Sequence, residues 1–144
     1  MLSSARSSIC HAVVVAAALI FGPAASADEA TTKQVLDHHL QAFGDLDMEA
    51  ILADYTDESV LLTADGPIQG MDQLKGVFEA FFAEFGKPGA TFEMKQQLIN
   101  GDVAYIVWTA ETADNVYELA TDTFVIDDGK IAVQSFTAKT TPKG

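Results

Sequence analysis

Cysteine is nearly absent from this chain. The single one, Cys10, precedes the first long apolar run, and residues 28–144 contain none. Disulfide staples and thiol catalysis are therefore excluded from that part of the chain. Basic residues are scarce, with 8 Lys and Arg against 21 Asp and Glu. All 21 acids and seven of the eight bases lie beyond residue 27, which leaves that part with a net charge of −14. Such a surface repels phosphate backbones and anionic lipid, so neither a nucleic acid nor a membrane is an expected partner. No glycine-rich phosphate loop occurs. Beyond residue 27 the only histidines are the adjacent His38 and His39, so no Ser-His-Asp constellation can be drawn. No His-x3-His pair exists and the acids are scattered, so neither a resident metal nor a cofactor is expected.

What is present at the start is a pattern of export. Arg6 is followed by the apolar run Ala12–Phe21, then Gly22-Pro23 and Ala25-Ser26-Ala27. A basic start, an apolar centre of about ten residues and an Ala-x-Ala end make a secretory signal with cleavage after Ala27. A membrane span needs about 20 apolar residues, more than this run supplies. The expected location is the periplasm or outside the cell. Residues 28–144 then form one domain of 117 residues, with no repeat or linker.

Apolar spacing predicts three helices. The first covers 31–43, with Val35, Leu36, His39, Leu40 and Phe43 on one face. His38 lies about 100° round that helix from His39, so the two are not expected to point at one ligand. A short second helix, 47–55, is capped by Asp45 or Asp47 and carries Met48, Ile51, Leu52 and Tyr55. A third, 71–85, has a broad stripe of Leu74, Val77, Phe78, Phe81, Phe82 and Phe85. A strand at 59–64 and a scrap at Ile68-Gln69 precede that helix. After it the period falls to two. Strands are expected over 91–99, 103–111, 115–126 and 131–139, separated by Asn100-Gly101, Thr112-Ala113-Asp114 and Asp127-Asp128-Gly129-Lys130. Four strands joined by three short turns form an antiparallel meander. Two helices too small to hide both their apolar faces must pack on it.

The chemistry points to the strand 115–126. Alternation places Val116, Glu118, Ala120, Asp122, Phe124 and Ile126 on one face, and Tyr117, Leu119, Thr121, Thr123 and Val125 on the other. Asp122 thus shares a face with residues that belong in a core. A carboxylate there is costly to ionise, so it is paired, protonated, or turned into a cavity.

The segment Gly44-Asp45-Leu46-Asp47, Ile51-Leu52, Tyr55-Thr56-Asp57-Glu58-Ser59-Val60, followed by Gly70 at a helix start, resembles the superfamily of nuclear transport factor 2, ketosteroid isomerase and the SnoaL-like polyketide cyclases. Thr121-Asp122-Thr123-Phe124 with Asp128-Gly129-Lys130-Ile131 resembles the late hairpin of the same superfamily. The resemblance implies a cone-shaped α+β roll, with three N-terminal helices packed on a strongly curved antiparallel sheet. It puts Asp122 where the isomerases keep a protonated aspartate that donates to a substrate oxyanion. His39 falls near the isomerase tyrosine that makes the other oxyanion contact. The isomerase general base falls at Thr63, which cannot act as a base, and Asp65 lies two residues further on.

Three functions remain open. One is an isomerase, cyclase or dehydratase acting on a small hydrophobic carbonyl compound, with Asp122 as acid, His39 as base or second donor, and Tyr55, Thr63, Phe78, Trp108 and Phe124 around the ligand. Another is a non-catalytic binder of a small hydrophobic molecule. The third is an assembly domain. Whatever the chemistry, a homodimer through the outer sheet face is expected, because Tyr117, Leu119 and Val125 make that face apolar.

Overall fold

Asp28 opens the fold as a helix cap. Its carboxylate accepts from the Thr31 amide at 2.7 Å and starts α1, Glu29–Gly44. The structure, a computed structural model, describes residues 28–144; the expected export signal at 1–27 lies outside the described residues. Asp47 caps α2, Met48–Leu52, accepting from the Ala50 amide at 3.0 Å. This helix ends three residues before the sequence pattern does. The amides of Asp54 and Tyr55 reach back only three residues, to Ile51 and Leu52, and this tightened turn carries both side chains inward.

The hairpin of β1, Val60–Thr63, and β2, Gly66–Gln69, comes next, then α3, Met71–Phe85. The meander follows as β3, Thr91–Asn100, β4, Val103–Glu111, β5, Asn115–Asp127, and β6, Lys130–Pro142. The order across the single sheet is β2-β1-β6-β5-β4-β3. Helix α3 therefore connects one edge strand to the other. The meander then returns strand by strand until β6 meets β1, and those two run parallel, from Val60 opposite Val133 to Leu62 opposite Ser135. The α+β roll expected from sequence is what forms, but its sheet is mixed. Alternation within strands carries no information on how distant strands pair, so the parallel contact was not visible.

Two details of register matter. Asn100 pairs with Val103, so the β3–β4 loop consists of Gly101 and Asp102, not of Asn100-Gly101. In β5 the ladder to β6 slips between Tyr117 and Leu119, and that to β4 slips at Trp108/Ala110. The bulge corrects the assignment of faces: Tyr117 turns inward with Ala120, Asp122, Phe124 and Ile126, while Glu118 faces out to Lys139 and Thr141. A second slip opposite Val125/Ile126 lets Ile131 and Gln134 of β6 both be buried, although they are an odd number of residues apart.

The core lies between the helices and this inner face. Leu36 of α1, Ile51 of α2, and Leu74 and Phe78 of α3 meet Ile106, Trp108, Phe124 and Ile126. The C-terminal turn of α3 is tied down by Glu84, which accepts from Thr112, Asn115 and Tyr117. Burial and that carboxylate hold the Tyr117 phenol proton well beyond the usual tyrosine range.

Candidate active site

The sheet interior does not close completely. A cavity of about 60 Å³ lies under α1 and α3, lined by aromatic and aliphatic side chains with His39, Asp122 and Gln134 as its polar groups. Leu40, Phe43 and Phe92 also border a surface groove that reaches Gly44 and Thr91. Phe92 is 49% exposed and leans on Trp108 with ring centroids 5.4 Å apart. Among the described residues, no three His, Cys, Asp or Glu side chains are grouped as a metal ion would require.

Each polar group is delivered by a different element. Asp122 comes from β5, and its side chain is flanked by donors from both neighbouring strands. Trp108 of β4 donates from Nε1 to Oδ2 at 2.7 Å, and Gln134 of β6 donates from Nε2 to Oδ1 at 2.8 Å. The residue is only 6% exposed. Burial pushes its pKa up, and this outweighs the opposing pull of the Trp108 and Gln134 hydrogen bonds and of the nearby His39. Burial thus favours the neutral form of Asp122 relative to a free carboxyl.

Gln134 relays this arrangement. With its amide nitrogen turned to Asp122, its Oε1 can only accept, and the Tyr55 hydroxyl donates to it. Burial raises the Tyr55 pKa well above the normal phenol value, and Asp122 and Asp54, both ionised at the high pH where a phenol would titrate, raise it further, so Tyr55 keeps its proton. His39, 4% exposed, stands edge-on to Tyr55, Phe78 and Phe124. Its Nδ1 is 3.5 Å from the Tyr55 hydroxyl and 3.7 Å from Asp54 Oδ2.

Of the residues singled out from sequence, Asp122, His39, Phe78, Trp108 and Phe124 line the cavity together. Tyr55 sits behind its wall, joined through Gln134. Thr63 does not reach it: its hydroxyl donates to Gly66 O at 3.0 Å, and it borders a separate groove beyond Leu61, Phe81 and Phe136, shared with Asp65. The sequence reading missed Gln134 and Asp54. Gln134 was accessible in principle, since it alternates with Ala132, Phe136 and Ala138. Asp54 had no such signal, because its burial depends on the early end of α2. His39 lines the cavity and His38 does not, yet both stand near Asp54. His38 Nδ1 is 2.6 Å from Asp54 Oδ1, so the two rings approach the two oxygens of one carboxylate.

No curated protein matches the chain by sequence. Solved structures match over most of its length. A nuclear transport factor 2-like protein of unknown function from Mesorhizobium loti is 20% identical, with a TM-score of 0.66 over 77% of this chain and 93% of that one. A candidate ketosteroid isomerase from Kribbella flavida is 12% identical, with a TM-score of 0.65 over 78% and 81%. A candidate polyketide cyclase from Sinorhizobium meliloti is 17% identical, with a TM-score of 0.61 over 72% and 94%. At these identities the likeness establishes the fold alone. The sequence model of the SnoaL-like domain matches residues 36–134, which span α1 to Gln134 and contain every polar group of the cavity. The chain belongs to the SnoaL-like domain family.

Proposed function

We propose that this domain is an acid–base enzyme acting on a compact, apolar carbonyl compound, in the manner of an isomerase, cyclase or dehydratase. The supporting observation is that a buried carboxyl biased towards its neutral form and a histidine line one apolar cavity. Asp122 donates to the carbonyl oxygen. His39 takes a proton from the adjacent carbon, the electron pair moves into the enol, and return of the proton at another position, or loss of a leaving group, completes the reaction. The base falls to His39 because Thr63, at the isomerase base position, has its hydroxyl committed to Gly66. The size of the cavity favours a small substrate, since pockets for drug-sized ligands hold roughly 300–1,000 Å³.

Proton exchange provides a test that does not require the natural product to be known. The protein is incubated in D2O with a panel of small ketones and enones, and loss of the α-proton signals is followed by NMR. Exchange well above the buffer rate for at least one compound is expected. Absence of exchange across the panel, combined with a raised melting temperature on adding one of the compounds, would instead favour the second reading, a non-catalytic binder. The apolar lining supports that reading as well.

The domain is further proposed to be exported, through the signal at 1–27, and to pair with a second copy through the outer sheet face. That face loses Tyr117 but retains Leu119 and Val125. Cross-strand register adds a row of Val60, Val133, Val125 and Val103, and beside it Leu62, Ser135, Thr123, Tyr105 and Leu98. These rows carry no charge in a strongly acidic chain, so two copies meet there with least repulsion. Sedimentation at micromolar concentration is expected to give a dimer, and Val125→Lys a monomer; a monomeric wild type would refute the pairing.

A further inference from the structure

His38 and the carboxylate of Asp54, which stands beneath the pair His38-His39, remain unused by the chemistry above. Asp54 is buried, and its Oδ2 has no hydrogen-bond partner among the described residues. Its Oδ1 is held by Nδ1 of His38, whose side chain is half exposed. An unpartnered carboxylate oxygen inside a protein is expensive, and Nδ1 of His39 stands 3.7 Å from it.

The directions of the neighbouring hydrogen bonds bear on what that nitrogen carries. Gln134 donates to Asp122, so its Oε1 accepts, so Tyr55 gives its only proton to Gln134. The Tyr55 oxygen, 3.5 Å from His39 Nδ1, therefore has only lone pairs to offer. Asp54 likewise has only lone pairs. With Gln134 in this orientation both groups facing Nδ1 are acceptors, which favours the proton on Nδ1. In the neutral ring this leaves Nε2 with the lone pair. Among the described residues no hydrogen-bond partner stands at Nε2, and the ring lines the cavity.

We propose that Asp54, steadied by His38, is a positioning residue that holds His39 in the Nδ1–H form, making Nε2 the basic nitrogen presented to the substrate. This deepens the acid–base reading and rests on His39 being its base. When Nε2 accepts a proton, the new positive charge lies beside Asp54 Oδ2, whose unmet acceptor capacity then finds its use. The titratable groups facing His39 are Asp54 and Tyr55 from the segment after α2 and Asp122 from β5, while His38 on its own helix reaches it only through Asp54. From α3 the ring of Phe78 packs edge-on against His39.

The test is spectroscopic and needs no substrate. Protein labelled with 15N-histidine is examined by long-range proton–nitrogen correlation at about pH 8, above the ordinary histidine range, with signals assigned from His38→Gln and His39→Gln. The expected result is that both rings carry the proton on Nδ1, with Nε2 in the lone-pair range. His39 found as the Nε2–H form, or protonated on both nitrogens, overturns the inference. In Asp54→Asn the amide accepts at one atom and donates at the other, so at least one of the two rings must change form; two unchanged rings also overturn it. The wild-type measurement stands even if the variant folds poorly. Expected ring forms together with failed exchange on the ketone panel would remove the enzyme reading and leave this arrangement intact, so the two failures are distinguishable.

Discussion

Asp122→Asn is expected to lower α-proton exchange by about 10²–10⁴-fold, the range for losing a general acid, while the far-ultraviolet circular dichroism remains that of the wild type. The asparagine keeps the shape of the carboxyl but has no acidic proton. It also turns an amino group towards either Trp108 or Gln134, both of which are donors, so a stability offset that does not vary with pH accompanies the loss. The titration itself shows in the pH dependence. Because burial raises the pKa of Asp122 in the folded state, the native protein holds this proton more tightly than the unfolded chain does. The resulting stability is fully present below the unfolded value of 3.8 and is lost as pH rises through the raised folded value. Urea unfolding at a series of pH values is therefore expected to show the wild type losing stability relative to Asp122→Asn over that interval. Parallel curves would mean that Asp122 is ionised in the folded protein at the same pH as in the unfolded chain, and the neutral-acid role would fall with it.

Phe124→Ala is expected to be the most destabilising single change near the site. Phe124 is 1% exposed, faces the His39 ring at 5.2 Å and forms part of the cavity wall. Truncating a buried phenylalanine costs about 3–5 kcal/mol. In a domain of this size the melting temperature should fall by roughly 10–20 °C. The same change enlarges the cavity, so larger ketones in the panel are expected to bind or exchange in the variant and not in the wild type. Thermal melts with and without ligand measure both effects. A loss under about 1 kcal/mol would show that the surrounding side chains collapse into the space, and the cavity could not then set the size limit on the substrate.

Three features of the site were legible before any coordinates. The odd placement of Asp122 among Ala120, Phe124 and Ile126 is a local matter of strand alternation, and the bulge at Glu118 lies outside that interval and leaves it intact. Phe78 belongs to a helical stripe whose period is long and regular. Trp108 sits in mid-strand on β4, where apolar residues occupy both faces. Tyr117 and Glu118 were exchanged between faces because a bulge adds one residue without any mark in the alternation, and every side chain beyond it then changes sides. Thr63 was placed at the cavity by resemblance of position, whereas the short turn to Gly66 draws its hydroxyl into a local bond.

Periodicity, caps and turn residues are short-range signals, and they determined the helices, the strands, the meander and the presence of one acid on an apolar face. Which groups meet across the interior was decided only by the tertiary structure. The parallel contact of β6 with β1 and the slip opposite Val125/Ile126 bring Gln134 to Asp122 and Tyr55, and the early end of α2 brings Asp54 to both histidines. The physical reason is one of range. A residue's face depends on its immediate neighbours in the chain. The partner of a buried polar group is set by how distant segments satisfy one another's hydrogen bonds, and that is a property of the whole fold.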